Sequence, residues 1–287
     1  MFRKPKRKIY FLIFVLPTLA AFLIGFVYPF FNGIYLSFCK FRTTSDAVFI
    51  GFGNYVKAFQ NEGFLHSFWF TVLFVIVSVI LINLIAFFVA YALTLGIRGS
   101  NVFRTVFFVP NLVGGIILGY IWQYIFNGIL QYYGTNLALN ANFGFWGLVI
   151  LMCWQQAGYM MIIYIAGFQS VPSDLYEAAK IDGASKLKQI TAITLPLLRP
   201  TIVIMTLMAI GRVFYSDFGL FYQVPMNAGT LFSTTQTIDT YVYRGLMEQG
   251  NVGMSSAAGV YQSLVGFALV MIANFIVRKK DPENALF

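Results

Sequence analysis

Arg212 and Asp217 are the residues of this chain that most demand a physical reason. Both stand inside an apolar run, five positions apart, and between them lie Phe214 and Tyr215. An ionised group at membrane depth is costly, so such residues face a partner, a cavity or a solute path. A spacing of five does not put them on one helix face, which leaves a direct pair between them open. The chemistry they offer is hydrogen bonding and ion pairing. Paired carboxylates of a glycosidase in an aqueous domain are missing from the sequence, and so is a Gly-x-x-x-x-Gly-Lys-Ser/Thr phosphate loop. The other charged constellation lies between Pro172 and Pro200, where Asp174, Glu177 and Asp182 alternate with Lys180, Lys186, Lys188 and Arg199. His66 stands alone and suits an interfacial position. Cys39 and Cys153 fall at different depths, so neither a disulfide nor a metal site is expected.

The elements that hold these residues are set by composition. Of 287 residues, 59% are hydrophobic and 10% charged, far from the roughly 25% charged residues of soluble domains. Apolar runs long enough to cross hydrocarbon recur, with room for no separate soluble domain. The expected fold is all-α and polytopic, with six spans near residues 9–36, 65–95, 105–126, 143–167, 197–222 and 252–277. Residues 1–8 form a basic start, and Pro17 and Pro29 are expected to kink the first span. With both ends cytoplasmic, fourteen of the nineteen Lys and Arg residues fall on the cytoplasmic side. Lys40, Arg42, Lys57 and Arg244 fall outside, and Arg212 lies within a span. That bias fits the positive-inside rule, and the inverse orientation would oppose it at every cytoplasmic segment. The net charge of +9 therefore reflects membrane orientation rather than nucleic-acid binding.

The segment 172–196 reads as helix, turn, helix. Ser173 can cap a helix over 174–182, with Asp174 at the positive end of its dipole. Leu175, Ala178, Ala179 and Asp182 share a face, Gly183 can end the helix in a left-handed conformation, and Ser185 can cap a second helix that stops before Pro196. A short helix with an alanine waist suits a groove in another protein. It could equally be a plain connection between two spans.

Glu177-Ala178-Ala179, then Gly183, Ile193 and Leu195-Pro196, resembles the cytoplasmic signature of the permease subunits of ATP-binding-cassette importers. The longer run 172–184 is similar to the carbohydrate, maltose-type branch, as are Tyr28-Pro29-Phe30, Gly51-Phe52-Gly53-Asn54-Tyr55 and 104–110. Residues 237–245 and the tail 284–287 resemble a polysaccharide- and oligosaccharide-associated subgroup. The resemblance implies a type I importer permease in the bacterial cell membrane, without enzymatic activity or cofactor of its own. It implies a second similar permease, two ATPase subunits that bind ATP and Mg, and an extracytoplasmic sugar-binding protein. Tyr176, Glu177, Ala178, Ala179, Asp182, Gly183, Leu195 and Pro196 would then couple to the ATPase.

Positions matching the family's cargo path are Gln155, Gln156, Tyr159, Phe214 and Asp217, with Arg212 beside them. Phe214 and Asp217 stand where some relatives carry asparagine. Amides, a carboxylate and aromatic faces suit a saccharide. Tyr120, Trp122 and Gln123 are further candidates. The rival readings are an importer permease for a non-sugar solute and a carrier or channel working alone.

Overall fold

The computed structural model describes residues 5–226 and 228–280. The first four residues of the basic start and the tail motif 284–287 lie outside them. The helices are α1 (Pro5–Phe22), α2 (Tyr28–Ser37), α3 (Gly53–Gln60), α4 (Glu62–Thr94), α5 (Ser100–Leu112), α6 (Gly115–Gln131), α7 (Ala141–Ser170), α8 (Ser173–Ile181), α9 (Lys186–Gln189), α10 (Leu195–Phe214), α11 (Phe218–Gln223), α12 (Phe232–Thr235), α13 (Ile238–Met247) and α14 (Val252–Lys280). A two-residue hairpin, β1 (Cys39–Lys40) with β2 (Val48–Phe49), is antiparallel with Cys39 opposite Phe49. Among the described residues five helical runs are long and apolar enough to cross a membrane: Tyr10–Ser37, Glu62–Thr94, Ala141–Ser170, Lys186–Phe214 and Val252–Lys279. The pair α5 and α6 makes a sixth if it counts as one broken span.

That pair corrects the continuous third span expected from the sequence. α5 ends at Leu112, Val113 is extended, and α6 leaves at 106°. The fifth span is also broken, because α10 stops at Phe214 and the chain turns before α11. At Pro196 the outcome is the reverse: the helix expected to stop before it runs on. A π-turn over Ile190–Thr194 joins α9 to α10, and Pro196 falls in the first turn of α10, where its missing N–H costs no bond. Pro29 is handled in the same way, by a π-turn over Leu23–Val27 before α2.

The contacts divide the described chain into two units, and the division falls within α4, α13 and α14. The first comprises residues 5–65 and Tyr241–Ser263. Here the Gly51–Tyr55 run is structural. Gly51 turns with φ 63°, and buried Asn54 donates through Nδ2 to the carbonyls of Ser37 (2.9 Å) and Cys39 (2.8 Å). Phe38 packs on Phe49, Phe52 and Tyr55. In the exposed β1–β2 connection, Asp46 accepts from the backbone N–H groups of Thr43 and Arg42, which hold its carboxyl below the usual range.

The second unit comprises His66–Thr240 and residues 264–280, and α7 is its innermost helix. Two thirds of the apolar window of α7 is buried (67%), against 33% for α4 and 28% for Lys186–Phe214. Tyr164 donates to Asn83 Oδ1 at 2.6 Å and ties α7 to α4. Gly158 lets α5 lie directly on α7, because a side chain there would strike the carbonyl of Phe107. Gly158→Val is therefore expected to destabilise the protein by about 2 kcal/mol or more, the range of core overpacking. Thermal unfolding of the detergent-purified chain checks it, and an unchanged midpoint would refute the close α5–α7 contact.

Candidate functional site

The two middle residues of the 30-residue α7 are Gln155 and Gln156. At ~1.5 Å rise per residue α7 is about 45 Å long, so these amides lie about 20 Å from either end. Gln155 is 4% exposed, and an amide so buried needs partners. Its Nε2 donates to Asp217 Oδ2 at 3.2 Å, and its Oε1 accepts from Gln156 Nε2 at 3.4 Å. Gln156 Oε1 accepts from the Arg212 guanidinium at 3.0 Å. Arg212 also lies 5.0 Å above the ring of Tyr159, one helical turn from Gln155, a cation–π distance. Arg212 and Asp217, whose direct pairing the sequence left open, are thus the two ends of one relay carried by two glutamines.

Asp217 is not within the fifth helix. It caps α11, and its Oδ1 accepts from Leu220 N at 3.4 Å. Its carboxylate occupies the space that a side chain at Gly115 would take. Gly119 and Gly219 extend this close packing of α6 on α11, since a side chain at Gly119 would meet Gln223 and one at Gly219 would meet Ile116. The four-residue spacing of Gly115 and Gly119 is a small-residue helix-contact pattern, and it was the available signal for this support. Phe214 belongs elsewhere: it is 1% exposed, lies edge-on to Tyr215, and both approach Gly266. The structure places it in the packed interior, and Tyr215 is the exposed ring of that pair. The cavity beside Gln156, Tyr159 and Arg212 holds only about 10 Å³ and is walled by Met160, Met205 and Met208. That is room for about one water.

α8 lies beyond the carboxyl end of α7 and buries none of its residues. Glu177, Ala178 and Asp182 are exposed, and Ala179 is partly so. The helix begins one residue earlier than expected. Pro172 takes the N-cap position, and Ser173 donates to Asp174 Oδ1 rather than capping. Asp182 ends it, Gly183 follows with φ 73°, and Ala184 N returns to Ala179 O at 2.8 Å. Ser185 accepts from Lys188 N at 3.3 Å and caps α9 as expected. Two side chains fasten this segment to the foot of the next long helix. Tyr176 OH meets Thr194 Oγ1 at 2.8 Å, and buried Gln189 donates to Ala184 O at 3.0 Å. Leu195 and Pro196 are exposed at the head of α10. The sequence had singled out neither Thr194 nor Gln189.

Residues 82–281 match the family described as "Binding-protein-dependent transport system inner membrane component". The chain is 33% identical over 287 residues to the probable starch degradation products transport system permease protein AmyD of Thermoanaerobacterium thermosulfurigenes, with 97% of each covered. It is 28% identical to the sn-glycerol-3-phosphate transport system permease protein UgpA of Brucella abortus, over 92% of this chain and 93% of the relative. Its fold is similar to a chain in the crystal structure of a bacterial ABC transporter involved in the import of the acidic polysaccharide alginate, with TM-score 0.81, 24% identity and 96% of each chain covered.

Proposed function

This chain belongs to the family of binding-protein-dependent transport system inner membrane components, and from that premise we propose that it conducts a neutral oligosaccharide across the cytoplasmic membrane. It is the non-catalytic, multi-pass permease subunit of an ABC importer. The proposed assembly adds a second, similar permease, two ATPase subunits that bind ATP and Mg, and an extracytoplasmic sugar-binding protein.

One observation carries the cargo reading. The mid-depth relay holds one cation and one anion bridged by two amides, with an aromatic face at one end. Its formal charge is zero, so it offers hydroxyl groups several donors and acceptors without a net field for an ion. The starch-product relative agrees with this reading. The glycerol-phosphate relative raises a second one, in which exposed Arg212 holds a phosphate. Asp217 argues against it, because a carboxylate in the same relay opposes an anion.

Coupling is proposed to run through α8. The exposed alanine face of α8 seats in the ATPase, with Glu177 paired to a base of that partner. The tethers Tyr176–Thr194 and Gln189–Ala184 make α8 and the foot of α10 move as one body. Closure of the ATPases on ATP then shifts α7 and α10, whose middle and outer portions carry Gln155, Gln156 and Arg212. A shift of those helices rearranges the relay, which gives the differential contact between two states that alternating access requires.

The test is ATP hydrolysis by the assembled importer with its binding protein, challenged with neutral gluco-, arabino- and xylo-oligosaccharides of two to seven units, glycerol 3-phosphate and amino acids. Stimulation by a neutral oligosaccharide is expected. Stimulation by glycerol phosphate or an amino acid alone overturns the cargo reading, and uptake by this chain without partners overturns the importer assembly.

A further inference from the structure

We infer that the outer end of α6 carries a second saccharide subsite, set about 18 Å along that helix from the mid-depth relay. The inference rests on the oligosaccharide reading above and adds a place where a longer chain is held. A cavity of about 460 Å³ lies between the end of α6, residues 135–138, residues 224–226, Ala228 and Leu231. Its polar lining is Asn127, Gln131, Thr135 and Asn136, and its apolar lining includes Val224 and Pro225. No described residue of the lining is charged. Asn127 Oδ1 accepts from Leu137 N at 3.0 Å and Asn136 Oδ1 from Leu139 N at 3.2 Å, which fixes both amides and leaves their NH₂ groups as donors. An uncharged cavity with fixed amide donors beside apolar walls fits a sugar ring, which has hydroxyls at its rim and C–H faces.

The cavity lies at the amino end of α7 and α8 lies at its carboxyl end, about 45 Å away, so the two open on opposite membrane faces. α6 is the ruler between cavity and relay. Its first residue, Gly115, abuts the Asp217 carboxylate, and Asn127 stands about 18 Å further along. Asn127 and Gln131 continue, at four-residue spacing, the row of Gly115, Gly119 and buried Gln123, so the relay end and the cavity end of α6 lie along one row. Only a cargo several units long spans that distance, so the cavity discriminates by length.

Uptake by the assembled importer in vesicles tests this, using the shortest and the longest neutral oligosaccharide that the wild type accepts in the panel above. In Gln131→Glu and Gln131→Leu the half-saturating concentration for the longest is expected to rise about tenfold, the worth of one or two hydrogen bonds, while that for the shortest stays within about twofold. Equal changes at both lengths would assign the cavity to docking of the binding protein or to packing, and would overturn the subsite. Unchanged uptake at both lengths overturns it as well, while leaving the oligosaccharide reading intact. A wild type that accepts no oligosaccharide overturns both.

Discussion

Glu177→Lys is expected to leave the chain inserted and folded yet lower cargo-stimulated ATP hydrolysis of the assembled importer at least about tenfold, because reversing one partner of a buried interfacial charge pair costs roughly 2–5 kcal/mol. The side chain lies on the exposed surface of α8, a helix with no buried residue, and substitutions at such positions change folding stability by only about 0.5 kcal/mol. A large loss of hydrolysis can therefore come only from contact with another polypeptide. The measurement is twofold: co-purification of the ATPase with the variant, and hydrolysis at saturating cargo. Both should fall together. An ATPase that co-purifies in normal amount and hydrolyses ATP at the wild-type rate would remove Glu177 from the coupling surface.

Asp217→Ala is expected to have the second large effect, on cargo rather than on coupling. Asp217 caps α11, receives the Gln155 amide and balances Arg212 across the relay. Alanine removes all three, and loss of the cap alone costs about 1 kcal/mol. Uptake of the favoured neutral oligosaccharide should fall by about tenfold or more, since buried Gln155 is left without its acceptor. Asp217→Asn separates the causes. It keeps one oxygen for the Leu220 N–H, turns an NH₂ group toward the Gln155 amide, and leaves the Arg212 charge unbalanced. Its uptake of neutral cargo should fall less than in Asp217→Ala, while glycerol phosphate should become a better competitor. Loss in Asp217→Ala with no gain in glycerol phosphate competition in Asp217→Asn would assign the residue to the helix turn alone, and no loss in either would remove the relay from the path.

The two functional regions were legible to different degrees. The conformation of the segment 172–196 could be read largely from the chain, because it is local. Gly183, Ser185 and the alanine face act within a few residues of one another, and backbone chemistry decides their conformation. Ser173 misled because Pro172 can fill the cap position with no side-chain bond. The relay was legible only as a set of residue types. Gln155 and Asp217 are 62 positions apart, and Gln156 and Arg212 are 56 apart, so periodicity carries nothing about their meeting.

Composition by itself determined a helical membrane protein, since the transfer cost of polar and charged groups acts on each segment independently. Tertiary structure alone decided that the third span breaks by 106°, that Asp217 stands in a turn between helices, and that Phe214 belongs to the core. The physical reason is close packing. Gly115, Gly119 and Gly219 let two short helices approach until the Asp217 carboxylate fills the space that a side chain on Gly115 would take. Such a contact follows from the fit of surfaces distant in sequence, and no single segment contains it.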